Sequence, residues 1–257
     1  MNSLVTISTA SSFLSFPPSP LKSQIISRLD KNEFFSSLNV SIIDMFQILR
    51  VFHINLQPNI NKFMKSLQKK IMDRFMIHLK NSDYTPKDAK TIHSNSRDLT
   101  YGMTVTIRDC RVSSKFIELD VTVHKNNLEL LVEKLVSIGQ IDHSRHIVEE
   151  EIEKNQSIKD GIFYFNNERF WECHEALEGA WKQCTGDEKE LIQGLILVAA
   201  ALVHYQKYEN VVCLSVLGRA LKKLHNKSGE YYKINVDRVK QKIIEMLDKK
   251  EIFTFTF

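Results

Sequence analysis

The stretch MTVTIRDCRVSSKFIELDVTV, Met103 to Val123, alternates twice and decides the first half of the fold. Val105 and Ile107 fall on one side of a first extended run. In a second run Ile117, Leu119, Val121 and Val123 share one side, with Glu118, Asp120 and Thr122 opposite. A period of two marks a β-strand with one apolar face, and RVSS between the runs suits a hairpin connection. Two antiparallel strands are therefore predicted.

The flanking text fits around that hairpin. Upstream, RFMIHL reads as a strand, and TPKDAKTI opens a helix with Thr85 as N-cap, Pro86 at the first helical position and Asp88 three residues after the cap. Downstream, NNLELLVEKLVSIG is amphipathic, with Leu128, Leu131, Leu135 and Ile138 on one stripe and Gly139 as its stop. Strand, helix, strand, strand, helix is most of a split βαβ, ferredoxin-like α+β module, placed at residues 72–141. A fourth strand is not evident. HSRHIVEEEIEKNQ is read instead as a charged, solvated linker helix over residues 142–156.

Residues 1–71 differ in composition. ISTASSFLSFPPSP is rich in Ser, Pro and Phe, and the first charge is Lys22. A secretory signal would need a basic start and a longer apolar run, and a transit peptide would need arginines. The segment is expected to be poorly ordered, with one helix around Val40 to Phe52, and translation is expected to start at Met64 or Met72. It also holds eight Lys/Arg against three Asp/Glu, more than the whole formal net charge of +4. The remainder is slightly acidic, which argues against a strongly basic nucleic-acid-binding body. No run reaches the roughly 18 apolar residues of a membrane-spanning helix. Four cysteines without a CxxC pair read as buried or free thiols of a reducing, cytoplasmic compartment.

From Ser157 to about residue 250 the chain reads as an all-helical domain. SIKDGIFYF, ERFWECHEALEGAWKQC, a long helix from Asp187, NVVCLSVLGRALKKLH and a helix from Asn235 follow in turn; IFTFTF closes the chain as an edge strand or a packed tail. LILVAAALVHY is apolar on nearly every side, which suits a central bundle helix or the interface of a homo-oligomer.

Within ERFWECHEALEGAW, Phe170, His174, Leu177 and Trp181 follow an i, i+4, i+7, i+11 stripe, placing His174 in the apolar face. Glu178 is four residues on and on the same side, Glu175 sits on the flank beside Trp171, and Glu172 points to solvent. An antiparallel partner helix would bring Gln193 level with Glu178 and Gly194 to a close backbone approach. His204 would lie roughly 12 Å further along the axis. Three readings stay open. His174 and Glu178 can hold a divalent metal, although the second histidine of H-E-x-x-H hydrolases is missing. His174, Glu175 and Glu178 can act as acid/base catalysts of a hydrolase. His174, Glu178 and Gln193 can form a satisfied interhelical network.

FNNERFWECHEALEGAW, then LIQGLILVAAALVHYQK and SVLGRALKKL, resembles the prokaryotic helical family known as domain of unknown function number 309, over about Ser157 to Leu224. The resemblance implies a compact all-helical fold and shared positions at His174, Glu175, Glu178, Trp181, Gln193, Gly194, His204, Arg219 and Ala220; it implies no reaction. The chain departs at YENVVCLSV, where many members carry a Gly-Asn then Gly-Ala turn. The function expected is a ligand-binding or interaction module whose polar cluster at a helix seam, with Trp171, Trp181, Gln193, His204 and Arg219 around it, holds a small molecule or a structural network. The alternative is the hydrolase.

Overall fold

The computed structural model describes residues 72–148 and 150–257. The expected disordered segment, the helix at Val40 to Phe52 and a start at Met64 lie outside those residues. The first module runs β1 (Asp73–Lys80), α1 (Ala89–Leu99), β2 (Val105–Val112), β3 (Phe116–Val123), α2 (Leu128–Leu135) and β4 (Ile141–His146). The hairpin read from the alternation is present, with Ile107 opposite Val121 and Arg111 opposite Glu118. Strand order is β2-β3-β1-β4 with antiparallel pairings throughout, the ferredoxin-like arrangement. Thr85 and Asp88 form the expected capping box, closing a short 3-10 turn, Pro86–Asp88, ahead of α1.

One expectation is corrected here. The predicted linker helix over residues 142–156 begins instead as β4, which pairs with β1 from Phe75↔His146 to Leu79↔Ile141. IDHSRH is polar on both sides, so it carries no apolar alternation to read; its backbone bonds to β1 decide its conformation. The following helix starts at Lys154 with the Glu153 carboxylate as its cap, not at Ser157, which is buried inside it.

The helical part comprises α3 (Lys154–Asn166), α4 (Phe170–Lys182), α5 (Gly186–Gln206), α6 (Asn210–Leu224) and α7 (Val236–Lys249). A small hairpin precedes α7, β5 (Glu230–Tyr231) and β6 (Ile234–Asn235), turning at Tyr232 and Lys233, which both have positive φ. α5 packs against both α4 and α6, and Ile192, Leu195, Val198, Ala199, Ala201 and Leu202 are buried. Leu191, Ile196, Leu197, Ala200 and Val203 of the same helix are partly buried against that core. IFTFTF packs as a tail, not as a strand: Phe253, Phe255 and Phe257 lie on the helical core, and Phe257 stacks on Phe165 at 3.6 Å between ring centroids. No helix among the described residues is long and apolar enough to cross a membrane.

Two apolar cores result. One lies between the sheet and α1/α2, with Ile77, Leu79, Ile92, Leu119, Val121, Leu131 and Leu135; the other fills the helical part. β1 is buried continuously from Phe75 to Leu79, a pattern of strands covered on both faces. The second cover is α4.

Candidate functional site

α4 buries Phe170, Cys173, Leu177 and Ala180, an i, i+3, i+7, i+10 stripe. Phe170 and Leu177 of the expected stripe are kept, while Cys173 and Ala180 replace His174 and Trp181, a rotation of roughly 50° around the helix. Cys173 and Ala180 are small, and Gly161 of α3 lets Leu177 approach closely, an added Cβ there coming 2.8 Å from Leu177 Cδ2. His174 is consequently not in the core. Its side chain is 31% exposed and that of Glu178 43%, with Nε2 3.8 Å from the carboxylate.

The proposed seam around that pair is also corrected. No hydrogen bond joins Gln193 to His174 or Glu178; Gln193 lines a groove on the far side of α5 with Arg219. Gly194 does allow a close approach, but to α6, where an added Cβ would meet Leu224 Cδ2 at 2.5 Å. His204 turns to Glu209, Nδ1 to Oε2 2.5 Å, at the end of α5. Trp181 lies under the Lys189 ammonium, 4.2 Å from the ring centre. His174, Glu175 and Glu178 do keep one ligand atom each within 4.8 Å of the others.

The denser chemistry is on the inner side of α4. Glu172, expected in solvent, is 1% exposed. Arg169 and Arg145 both donate to it, Arg145 Nη1 at 2.9 Å, and Arg145 also reaches the Tyr164 hydroxyl. Facing it across the module boundary is the polar side of the sheet. There His78 Nε2 lies 3.2 Å from Glu172 and 3.7 Å from Glu118, both as charge contacts without hydrogen-bond alignment. Arg111, fully buried, gives Nε to Glu118 at 3.0 Å and Nη1 to Asp109 at 3.2 Å. Arg74 grips Asp120 through two nitrogens. Trp171 lies against the Arg74 and Arg111 guanidinia, 4.8 and 5.5 Å from its ring centre.

Charge decides how these groups ionise. Burial opposes ionisation of Glu172, but His78 and Arg169 outweigh it and hold the carboxyl well below its usual range. Glu118 is likewise lowered, burial being overcome by Arg111 and His78. For His78, burial works against protonation and the two carboxylates prevail, raising its pKa. His143 stacks on it at 4.1 Å between centroids, and burial lowers the pKa of that ring.

His78, Glu118 and Glu172 also have ligand atoms within 4.8 Å of one another. They do not fit a divalent cation: both carboxylates already carry guanidinia from Arg111, Arg145 and Arg169, and an added dication would lack compensation.

The turn before α4 completes the junction. Glu168, at φ 58°, accepts from the Ser114 amide at 2.8 Å and from Thr254, while its carbonyl accepts from Gln206 at 2.6 Å. Hairpin, tail and bundle thus meet on one residue.

Fold and site together define a class: a ferredoxin-like module fixed by a buried ionic seam to a small helical bundle. Residues 158–214, from α3 into the first turn of α6, match the family described as Domain of unknown function (DUF309). The matched segment contains α4 and α5 and is less than a quarter of the chain. No curated protein and no solved structure matches.

Proposed function

We propose that the helical part is a binding module for a small anionic ligand, held in the groove between α5 and α6. The observation that carries this reading is one face of α6. Arg219, Lys222 and Lys223 line a groove of about 740 Å³ and take part in no ion pair among the described residues. The two acids of the groove are already used, since Lys227 binds Asp187 at 2.7 Å and Glu190 at 3.3 Å. Gln193 and Asn226 add neutral hydrogen-bonding groups. The cations are exposed, so the attraction should weaken with salt over a Debye length of about 10 Å at 0.1 M. The four buried free cysteines fit a cytoplasmic setting.

Calorimetric titration with inorganic pyrophosphate tests it. The wild-type chain should bind, and Arg219→Gln with Lys222→Gln should weaken binding by about tenfold or more, or about 1.4 kcal/mol. Absence of binding by the wild type, or equal binding by the double variant, would refute the reading.

A second reading rests on the clustered ligand atoms of His174, Glu175 and Glu178. A divalent metal held there would keep open positions toward water, as catalytic sites do. The acid/base version has less support, because the pair lacks the dry cleft it would need. Elemental analysis of wild type and His174→Ala separates these: stoichiometric metal lost in the variant supports the metal reading, and metal-free wild type removes it.

A further inference from the structure

The seam between the modules contains a histidine that the binding reading does not use. His78 is fully buried, and the two carboxylates nearest it come from different parts of the chain, Glu118 from β3 and Glu172 from α4. The facing groups are Arg111 on β2, Glu118 on β3, Asp142, His143 and Arg145 on β4, and Arg169 and Glu172 on α4. The guanidinia are committed: Arg111 to Glu118 and Asp109, Arg145 and Arg169 to Glu172, and Arg74 to Asp120. Each of these four carboxylates thus has a fixed cationic partner, Asp120 and Asp109 having a second in Arg108 and Lys207, and His78 is the titratable group between Glu118 and Glu172.

We infer that His78 is a protonation-dependent latch between the ferredoxin-like module and α4. As imidazolium it bridges Glu118 and Glu172 across the boundary, and loss of the proton loosens the sheet from the helix. Both carboxylates face Nε2, so a neutral ring protonated there can still donate to one of them, but only the imidazolium places a positive charge between the two. The stacked His143 restricts the pair to one proton, because two imidazolium rings 4.1 Å apart would repel. The carboxylates favour the charged form of His78, so the latch is closed below the ordinary histidine value of about 6.5 and opens as the pH rises through a higher one.

Trp171 is a built-in reporter, since its ring lies against Arg74 and Arg111 on the sheet. Trp181, under Lys189, is an internal reference. In the full chain labelled with fluorotryptophan, the fluorine resonance of Trp171 should move with a midpoint above about 6.5. That of Trp181 should not follow it. His78→Gln should abolish the movement. If that variant does not fold, the ring carbons of His78 in the unaltered chain report its midpoint by NMR. A His78 midpoint at or below about 6.5, or a Trp171 transition unchanged in His78→Gln, would overturn the inference.

Discussion

Replacing Glu172 by Gln isolates the charge at the centre of the seam while keeping its shape and one acceptor oxygen. The side chain is wholly buried and meets three cationic groups: Arg169, 11% exposed; Arg145, 40% exposed; and His78, fully buried. Arg145 can turn toward water and keeps the Tyr164 hydroxyl at 2.8 Å. Arg169 and His78 have no such exit. Removing one partner of a buried pair costs about 3–5 kcal/mol because the other charge is stranded. With one of the three cations able to escape, the lower end applies, about 3 kcal/mol. For a folded part of this size that lowers Tm by roughly 6–12 °C. Urea denaturation followed by circular dichroism measures it, with Glu175→Gln, on the exposed flank of the same helix, expected within about 0.5 kcal/mol of wild type. A Glu172→Gln loss below about 1 kcal/mol, or one no larger than that of Glu175→Gln, would refute the reasoning.

Three further outcomes follow from the same packing. Gly194→Ala should destabilise by about 1–2 kcal/mol in thermal melts although alanine is the better helix former, because its Cβ would stand 2.5 Å from the buried Leu224 Cδ2. Glu118 and Glu172 have folded values below their unfolded ones, so their stabilisation is complete above about 4.5 and is lost as pH falls through the folded values. Urea midpoints on an acid series should therefore fall steeply for the wild type and less so for Glu172→Gln. Burial pushes the Cys110 and Cys213 thiols up to about 12 and raises Cys173 further, so a disulfide reagent should label these three only after unfolding. Rapid labelling of any of these three in the native chain would contradict that.

The ferredoxin-like module was legible because its hairpin carries a clean period of two and its helices carry caps and stripes. β4 was not, since IDHSRH presents polar residues to both sides and gains its place only by pairing with β1. On α4 the sequence permits two overlapping stripes that share Phe170 and Leu177, and the choice between them depends on tertiary packing, not on the pattern of the helix itself. That partial rotation places His174 at the edge of the core and leaves Glu172 facing the sheet. A signal of the seam was nonetheless present. FMIHL in β1 is apolar on both sides of the strand, with Met76 and His78 on the face shared with Glu118 and Asp120. A strand of that kind is covered twice, so the acids of β3 had to meet counter-charges and not water. Gln193 and Arg219, expected around His174, line the α5/α6 groove instead.

The claim on which the account turns is that α4 and the sheet are coupled through opposite charges on either side of their boundary. A double-mutant cycle of His78→Gln and Glu172→Gln, read as unfolding free energies near neutral pH, measures that coupling directly. The account predicts an interaction energy of about 1–3 kcal/mol, with the double variant more stable than the two single losses added together. Additive losses, within about 0.5 kcal/mol, would contradict it.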